Sequence, residues 1–400
     1  MHILVINSGS SSIKFSLFEA EEREVDALYQ GEVTGIGSGK AGFKFRDAEG
    51  KDLRGDSSEV KAGSAAEAIE LVVGAVSGEG WPGIDAVGYR VVHPGANLDQ
   101  HTKITEAVMR ELEEAVEFAP LHAPAAIAVI RAMMEQFAGV DHNACFDTVF
   151  HGSMPEFATT YALPLEVRER GVRRYGFHGL SCESVVRQML DAVEVGEIQF
   201  PKRMVIAHLG SGCSVTAVER GRSVDTTMGL TPAGGVVMGT RPGDLDPGVL
   251  LYLLRQEGAT VESVERMVNW ASGMVALSGM PNDMKAVREV AANGDRQAVL
   301  AVEVFVRSVR KVIGGFAWLM GGLDAIVFAG GIGEHDASSR AEILEGLEEM
   351  GVELCGGLND SKRDGVRRVS AATSEVAVYV VPAEEDRMIA MHVMALSASK

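Results

Sequence analysis

The chain has 400 residues, 46 % apolar and 23 % charged, with 56 acidic against 37 basic side chains. That length suits two domains with sizeable cores. A formal net charge of -19 argues against a nucleic-acid surface, because nothing offsets phosphate repulsion, but not against a small anion met by a few local arginines.

Cys145, Cys182, Cys213 and Cys355 form no C-x-x-C pair, which suits a reducing compartment. The chain opens directly into a strand, so no signal peptide is expected. No apolar run reaches ~18 residues, so no membrane span is expected either, and the protein reads as cytoplasmic.

Residues 3–6 are apolar and end at Asn7. A serine–glycine turn follows over 8–12, and then Ile13, Phe15 and Leu17 alternate with Lys14 and Ser16. The spacing predicts a buried strand, a tight turn and a second strand. Hydroxyls and exposed backbone N–H groups in such a turn can wrap a phosphate, Lys14 adds countercharge, and Asn7 can offer an amide oxygen to Mg²⁺. A polar turn without a ligand is the plainer reading. Residues 31–55 read as strands with turns, and 64–76 as a helix behind Ser64.

Residues 84–92 predict a strand entering the His93-Pro94-Gly95 turn. Arg90 inside it is either an edge residue reaching for water or a charge held for an anion. Residues 104–118 predict a long amphipathic helix, and Pro124 the first turn of the next. Asp147 ends an apolar segment, either as a helix cap or as a catalytic carboxylate. Arg173, Arg174, Tyr175, Phe177 and His178 precede a helix over 180–193, which places His178 near a helix N-terminus, where anions gather. A buried, hydrogen-bonded histidine is the alternative.

The hairpin pattern then recurs: apolar 204–207, a turn through His208, Leu209, Gly210, Ser211 and Gly212, and strand-like 215–218. Two phosphate-gripping hairpins suit a nucleotide-handling protein of two related halves. Residues 225–247 are too glycine-rich for a helix and carry Arg241 with three aspartates; an irregular stretch of that length is usually functional. Helices follow from Pro247, behind a cap formed by residues 278–285, and over 299–319. Residues 323–335 read as strand, glycine turn and helix, where backbone can lie flat against a nucleotide. A last strand over 376–381 leads to a helix over 382–395 whose Glu384, Glu385 and Asp386 complement the helix dipole. The P-loop, H-E-x-x-H and G-x-S-x-G patterns do not occur.

In this order, several motifs together resemble the acetate kinase family, within the actin, hexokinase and Hsp70 superfamily of ATPases. They are Asn7 to Phe15, Arg90-Val-Val-His93, Pro120-Leu121-His122, Phe146 to His151, Arg174 to Gly179, Met228 to Pro232, Gly239 to Pro247 and Gly331-Ile-Gly-Glu334. The resemblance covers nearly the whole chain. It implies an α/β fold of two similar ribonuclease H-like (actin-like ATPase) lobes around a central cleft. The N-terminal lobe would be 1–149 plus 383–400, and the nucleotide-binding lobe 150–382.

The resemblance also implies direct transfer of the γ-phosphoryl group of ATP to a carboxylate oxygen. Arg241 and His178 would stabilise the transferring group, Arg90 would hold the acid, and Asp147 would orient substrate or metal-bound water. Asn7 and Glu385 would hold Mg²⁺ or Mn²⁺. Ser10, Ser12 and Lys14 would line the phosphates from one lobe, and His208, Leu209, Gly210, Ser211 and Gly212 from the other. Asp283, Met284 and Lys285, with Gly331, Ile332, Gly333, Glu334 and His335, would cradle the adenosine. Val92, Leu121, Phe177 and Pro232 would wall a pocket for acetate or another short acid. The family implies a homodimer as well. Competing readings are a propionate or butyrate kinase, a pyrophosphate-dependent enzyme, and a non-catalytic actin-like nucleotide-binding protein.

The chain departs from the family pattern at several positions. Ser211 stands for Asn, Cys182 and Tyr89 for His, Pro94 for Gly, Ala233-Gly234 for Leu-Glu, and Ala383-Glu384 for Thr-Asn.

Overall fold

A computed structural model describes residues 1–9, 12–21, 24–53, 59–77, 81–118, 123–363 and 365–398. Ser10, Leu121 and the 119–122 break lie outside the described residues. The chain divides into two compact units, Met1–Val149 with Glu384–Lys400, and Phe150–Ala383.

The first unit contains strands β1 (His2–Ser8), β2 (Ser12–Glu21), β3 (Glu24–Thr34), β4 (Ala41–Asp47), β5 (Glu59–Val60), β6 (Ala86–Val91), β7 (Thr102–Lys103) and β8 (Asp141–Phe146). They form one sheet in the order β5-β4-β3-β2-β1-β6-β8-β7. The expected hairpin is present: β1 and β2 are antiparallel, with Asn7 opposite Lys14 and Gly9 N–H donating to Ser12 O at 2.8 Å. On its other side β1 runs parallel to β6, and β6 parallel to β8. Parallel neighbours need crossovers, here made by α1 (Ala65–Val76), α2 (Glu106–Glu114) and α3 (Ala123–Gln136).

Strand alternation then decides what faces what. Leu4, Ile6, Val87, Tyr89, Ala144 and Phe146 share one core with residues of α1, α2 and α3. Their neighbours in sequence therefore point to the opposite face. That face is covered by the last helix, Glu385–Ala398, which touches β1, β2, β3, β6 and β8. Gly88 is where it comes closest: a Cβ there would lie 2.7 Å from both Ile389 Cγ2 and Val393 Cγ2. Asn7, Arg90 and Asp147 sit at the C-terminal ends of β1, β6 and β8 on this same face, as continuations of the Val5, Gly88 and Cys145 positions.

One expected helix is shorter than its pattern. Residues 104–118 form α2 only to Glu114, and a 3-10 turn, Ala115–Phe118, follows. There the segment meets the His93–Gly95 turn, with Phe118 stacked on the His93 ring at 5.2 Å.

The second unit starts with α4 (Glu156–Thr159), α5 (Leu165–Arg168) and α6 (Gly179–Glu194). Its sheet comprises β9 (Arg203–Leu209), β10 (Cys213–Glu219), β11 (Arg222–Thr226), β12 (Ala325–Ala329), β13 (Arg367–Arg368) and β14 (Ala377–Val380), in the order β11-β10-β9-β12-β14-β13. Both β10 contacts are antiparallel, while β9/β12 and β12/β14 are parallel. The series β3-β2-β1-β6-β8 in the first unit has the same senses in the same order. Two units of one topology make this an α/β protein of two actin-like ATPase-type lobes.

On the β9 sheet, α6 buries Cys182, Val185, Val186 and Met189 against Met204, Ile206, Ala325 and Val327. After an irregular stretch come α7 (Pro247–Leu254), α8 (Val261–Trp270), α9 (Gly273–Ser278), α10 (Met284–Ala292) and α11 (Arg296–Leu319), the last lying against β9 and β10. β12 leads straight into α12 (Gly330–His335), because Gly330 at φ 75° turns the chain where any side chain would strike Leu209 O. The remaining helices are α13 (Ala337–Leu344), α14 (Gly356–Asn359) and α15, the closing helix Glu385–Ala398. Among the described residues, no helix is long and apolar enough to cross a membrane.

Candidate active site

In the first unit the α15 face gathers four of the expected residues. Arg90 grips Asp147 with two parallel hydrogen bonds, Nε to Oδ1 at 2.9 Å and Nη2 to Oδ2 at 2.7 Å. Its remaining nitrogen, Nη1, lies 3.3 Å from Glu385 Oε2 and 3.4 Å from Asn7 Oδ1. Asp147 is therefore the partner of Arg90 rather than a helix cap, and Arg90 is a charge held inside the unit. Burial pulls the Arg90 guanidinium toward neutrality, but the Asp147 and Glu385 charges outweigh it and hold the pKa above its usual range. Glu385 goes the other way: burial pushes its carboxyl up, Arg90 opposes, and Asp147 and Asp386 add repulsion, leaving it at about 7.

Asp386 Oδ2 accepts from Ser16 Oγ at 2.8 Å, which ties α15 to β2. Lys14 shares the Ser16 face of β2 with its chain exposed, and its charge is among those that favour the Glu385 anion. Ser12 is half-buried at the start of β2, and Val92 is half-buried past the end of β6. His93 is 2 % exposed and accepts from Gly95 N–H at 3.0 Å, so it supports its own turn.

In the second unit the gathering point is the β9–β10 bend, closed by Gly210 N–H donating to Gly212 O at 3.0 Å. His178 sits at the N-terminus of α6, as the sequence suggests, but in the left-handed region at φ 59°. Its Nδ1 lies 3.0 Å from Ser214 Oγ, and its ring stacks on His208 with centroids 4.2 Å apart. His208 Nδ1 in turn lies 2.7 Å from Ser181 Oγ. Arg241 reaches in from the irregular stretch, donating from Nη1 to Pro232 O at 2.9 Å. A Cβ on Gly212 would meet His178 Nε2 at 3.3 Å and Arg241 Nη1 at 3.7 Å, so the imidazole and the guanidinium flank one glycine. A turn with a glycine on each side of Ser211, and two cation-forming groups beside it, has the chemistry to hold an anionic phosphate.

Next to this bend, Gly210, Gly239, Asn282, Asp283, Met284 and Ile332 line one pocket, which joins the expected adenosine segments. Asp283 also caps α10, accepting from Lys285 N–H at 2.9 Å and Ala286 N–H at 3.2 Å. Glu334 Oε1 accepts from Ala383 N–H at 3.1 Å. Lys285, Gly331 and His335 are exposed, Gly333 lies on the buried side of α12, and Leu209 is fully buried in β9. Phe177 is 1 % exposed and Pro232 half-buried.

Several residues that shape the site carry no sequence signal of their own. Ser214 and Ser181 orient the two histidines from 36 and 27 residues away. Asn282 donates to Ser211 Oγ at 2.7 Å across 71 residues, and so engages the serine that departs from the family pattern. Two other departures point away from the site. Cys182, in α6 beside Ser181, is buried against Thr216, and Tyr89 bonds His142 Nδ1 at 2.6 Å on the face opposite Arg90.

Residues 2–391 match the Acetokinase family. The chain belongs to that family. An acetate kinase of Rhodopseudomonas palustris (strain TIE-1) is 40 % identical over 399 residues, covering 99 % of this chain and 98 % of its own. Among solved structures, Porphyromonas gingivalis acetate kinase is 33 % identical with a TM-score of 0.86, covering 99 % of both chains. A propionate kinase from Francisella tularensis subsp. tularensis SCHU S4 is also 33 % identical, with a TM-score of 0.87 over 98 % of both chains. This acetokinase family member thus carries its candidate residues as two sets, one in each unit.

Proposed function

We propose that the protein is a short-chain carboxylate kinase that converts ATP and acetate to ADP and acetyl phosphate, reversibly. The observation that carries the reading is Arg90, locked on buried Asp147 by one edge while Nη1 sits beside two hard oxygen donors, Asn7 and Glu385. An arginine so fixed has its Nη1 edge left to meet one oxygen of an incoming carboxylate.

In the reaction a carboxylate oxygen attacks the γ-phosphorus, and the bond from that phosphorus to the β–γ bridging oxygen breaks. The electron pair leaves with ADP, and no proton needs to move. The transferring group is metaphosphate-like, so the protein supplies position and charge rather than a nucleophile. Arg90 holds the acid. Arg241 and His178 meet the charge spread over the phosphoryl oxygens. The His208–Gly212 bend and Ser12 with Lys14 hold the remaining phosphates, and the Asp283–Lys285 and Gly331–His335 segments take the adenosine. Asp147 fixes the Arg90 fork.

The donor set also fits Mg²⁺, or Mn²⁺ in its place. Asn7 offers an amide oxygen and Glu385 a carboxylate, and Glu385 lies among like charges that a bound cation would relieve. Such an ion neutralises phosphate charge when bound. Propionate is the second reading, favoured by the Francisella tularensis neighbour. One methylene is worth only ~1–3 kcal/mol, so preference between the two acids is a matter of degree.

The protein acts in the cytoplasm, where ATP is available and its cysteines stay as thiols. It works as a homodimer through α7 and α8. No residue of α7 is buried, and Leu251, Tyr252, Val261 and Met267 expose 53, 63, 67 and 42 % of their surface. A hydroxamate assay for acyl phosphate, run with acids of two to four carbons and with ATP or pyrophosphate as donor, tests the reading. ATP-dependent acyl phosphate, fastest with acetate, is expected. ATP turnover indifferent to any carboxylate would sink it.

A further inference from the structure

The pocket beside the β9–β10 bend takes walls from two helices that are distant in sequence, Met284 and Val287 from α10 and Ile332 from α12. Its width depends on what holds α10 to α12. The start of α10 is pinned: Asp283 caps it, and the preceding Asn282 donates to Ser211 Oγ at 2.7 Å. A nine-residue helix held only there would be free to swing about that end.

Arg288 blocks that swing. It follows Val287 and lies one turn beyond Met284, and its guanidinium crosses to the junction of α12 with α13. Nε donates to Asp336 Oδ2 at 2.6 Å, Nη2 to Ser339 Oγ and to Glu342 Oε2 at 2.8 Å each, and Nη1 to Glu342 Oε1 at 2.9 Å. Ser339 Oγ donates onward to Asp336 Oδ2 at 2.7 Å, so the acceptor is itself held in place. Asp336 is where this network reaches the pocket. Its backbone N–H donates to Ile332 O at 2.9 Å and closes α12, while its Oδ1 caps α13 by accepting from Ser339 N–H at 3.1 Å. Glu342 sits within α13 and is no part of the pocket wall. Its side chain is 40 % exposed against 18 % for Asp336, and exposed ion pairs hold weakly, so the Asp336 arm is the firmer one.

We infer that Arg288 is a positioning residue for the nucleotide: through Asp336 it sets the spacing of the α10 and α12 walls, and with it the fit of the base between them; this rests on the adenosine assignment made above. The guanidinium acts through Asp336 and not on the ligand. It orders α10 before the nucleotide arrives, so binding does not bear the cost of ordering it. The effect falls on the adenosine end, away from the phosphoryl group in transfer, and is therefore a matter of affinity rather than of turnover.

Isothermal titration of ADP into the full chain, together with steady-state kinetics, tests the role. Arg288→Ala should raise the ADP Kd and the KM of ATP about ten-fold or more. It should leave kcat at saturating ATP and the KM of the acid within about two-fold of wild type. Asp336→Asn should do the same to ADP: with Oδ1 kept on the Ser339 cap, an amide nitrogen replaces Oδ2 and turns a donor toward Arg288 Nε. Glu342→Gln loosens the same network but should leave the ADP Kd within about two-fold of wild type. An unchanged ADP Kd in Arg288→Ala, or a fall in kcat with the KM of ATP unchanged, would overturn the role. Equal weakening by Glu342→Gln and Asp336→Asn would overturn it too, since a general loosening would then explain both. Should Arg288→Ala fail to fold, the comparison of Asp336→Asn with Glu342→Gln decides alone. A wild type that binds no ADP would sink the nucleotide reading and the role with it, an outcome distinct from ADP binding that ignores Arg288.

Discussion

Arg90 and Arg241 are both guanidiniums, but their surroundings assign them different work. Arg241 donates to the Pro232 carbonyl and stands beside a glycine bend, which under the proposed reaction sets its charge against developing phosphoryl charge. Arg241→Ala should lower kcat by ~10²–10⁴-fold with little change in ATP affinity, since the loss falls on the transition state. A kcat within two-fold of wild type would remove it from the mechanism. Glu385 makes a pH-dependent prediction. Its folded pKa of about 7 lies above the ordinary 4.5, so the folded state holds this proton more tightly than the unfolded chain does. The resulting stability is full below pH 4.5 and is lost as pH rises through 7. In EDTA at pH 8, Glu385→Gln should therefore raise the thermal midpoint, and change it little at pH 4.5. A midpoint shift of equal size at both pH values would contradict the assignment.

At the scale of elements, α15 sets the geometry of the first half-site, and Gly88 sets how closely it lies on β6. Gly88→Ala forces a methyl against Ile389 and Val393 and should cost ~1–3 kcal/mol of stability, read as a lower thermal midpoint. It should also raise the Mg²⁺ concentration needed for half-maximal activity, because Glu385, the proposed Mg²⁺ ligand, moves with the helix. Gly88→Ala/Val393→Ala should recover most of both; no recovery would mean that the clash lies elsewhere. The same elements mark how far the sequence could be read. Both hairpins and the β12–α12 turn were legible because a period of two and a glycine punctuation are local signals. The bidentate Arg90–Asp147 pair was not, since it depends on the parallel register of β6 with β8 and joins residues 57 apart. Nor was the early end of α2, whose apolar pattern continues while Ala115 and Phe118 turn to meet the His93–Gly95 bend. The left-handed backbone of His178 had no local cue, because glycine and asparagine are the residues that ordinarily signal it.

For the whole molecule, the proposed kinase reading has the two residue sets serve one reaction, so changes in them should not combine independently. Arg90→Ala should chiefly raise the KM of the acid, and adding it to Arg241→Ala should cost much less than the product of the single losses in kcat/KM. Full multiplicativity would argue that the arginines act on separate steps. Leu251→Asp/Tyr252→Asp should shift the sedimentation of the protein from dimer to monomer; unchanged sedimentation would move the subunit contact away from α7. The return of α15 to the first sheet also has a consequence for biosynthesis. Translation delivers the entire 150–383 stretch before the segment that completes the earlier unit emerges from the ribosome. A nascent chain stalled short of residue 384 carries Asn7, Arg90 and Asp147 but has neither Glu385 nor the helix that covers their face.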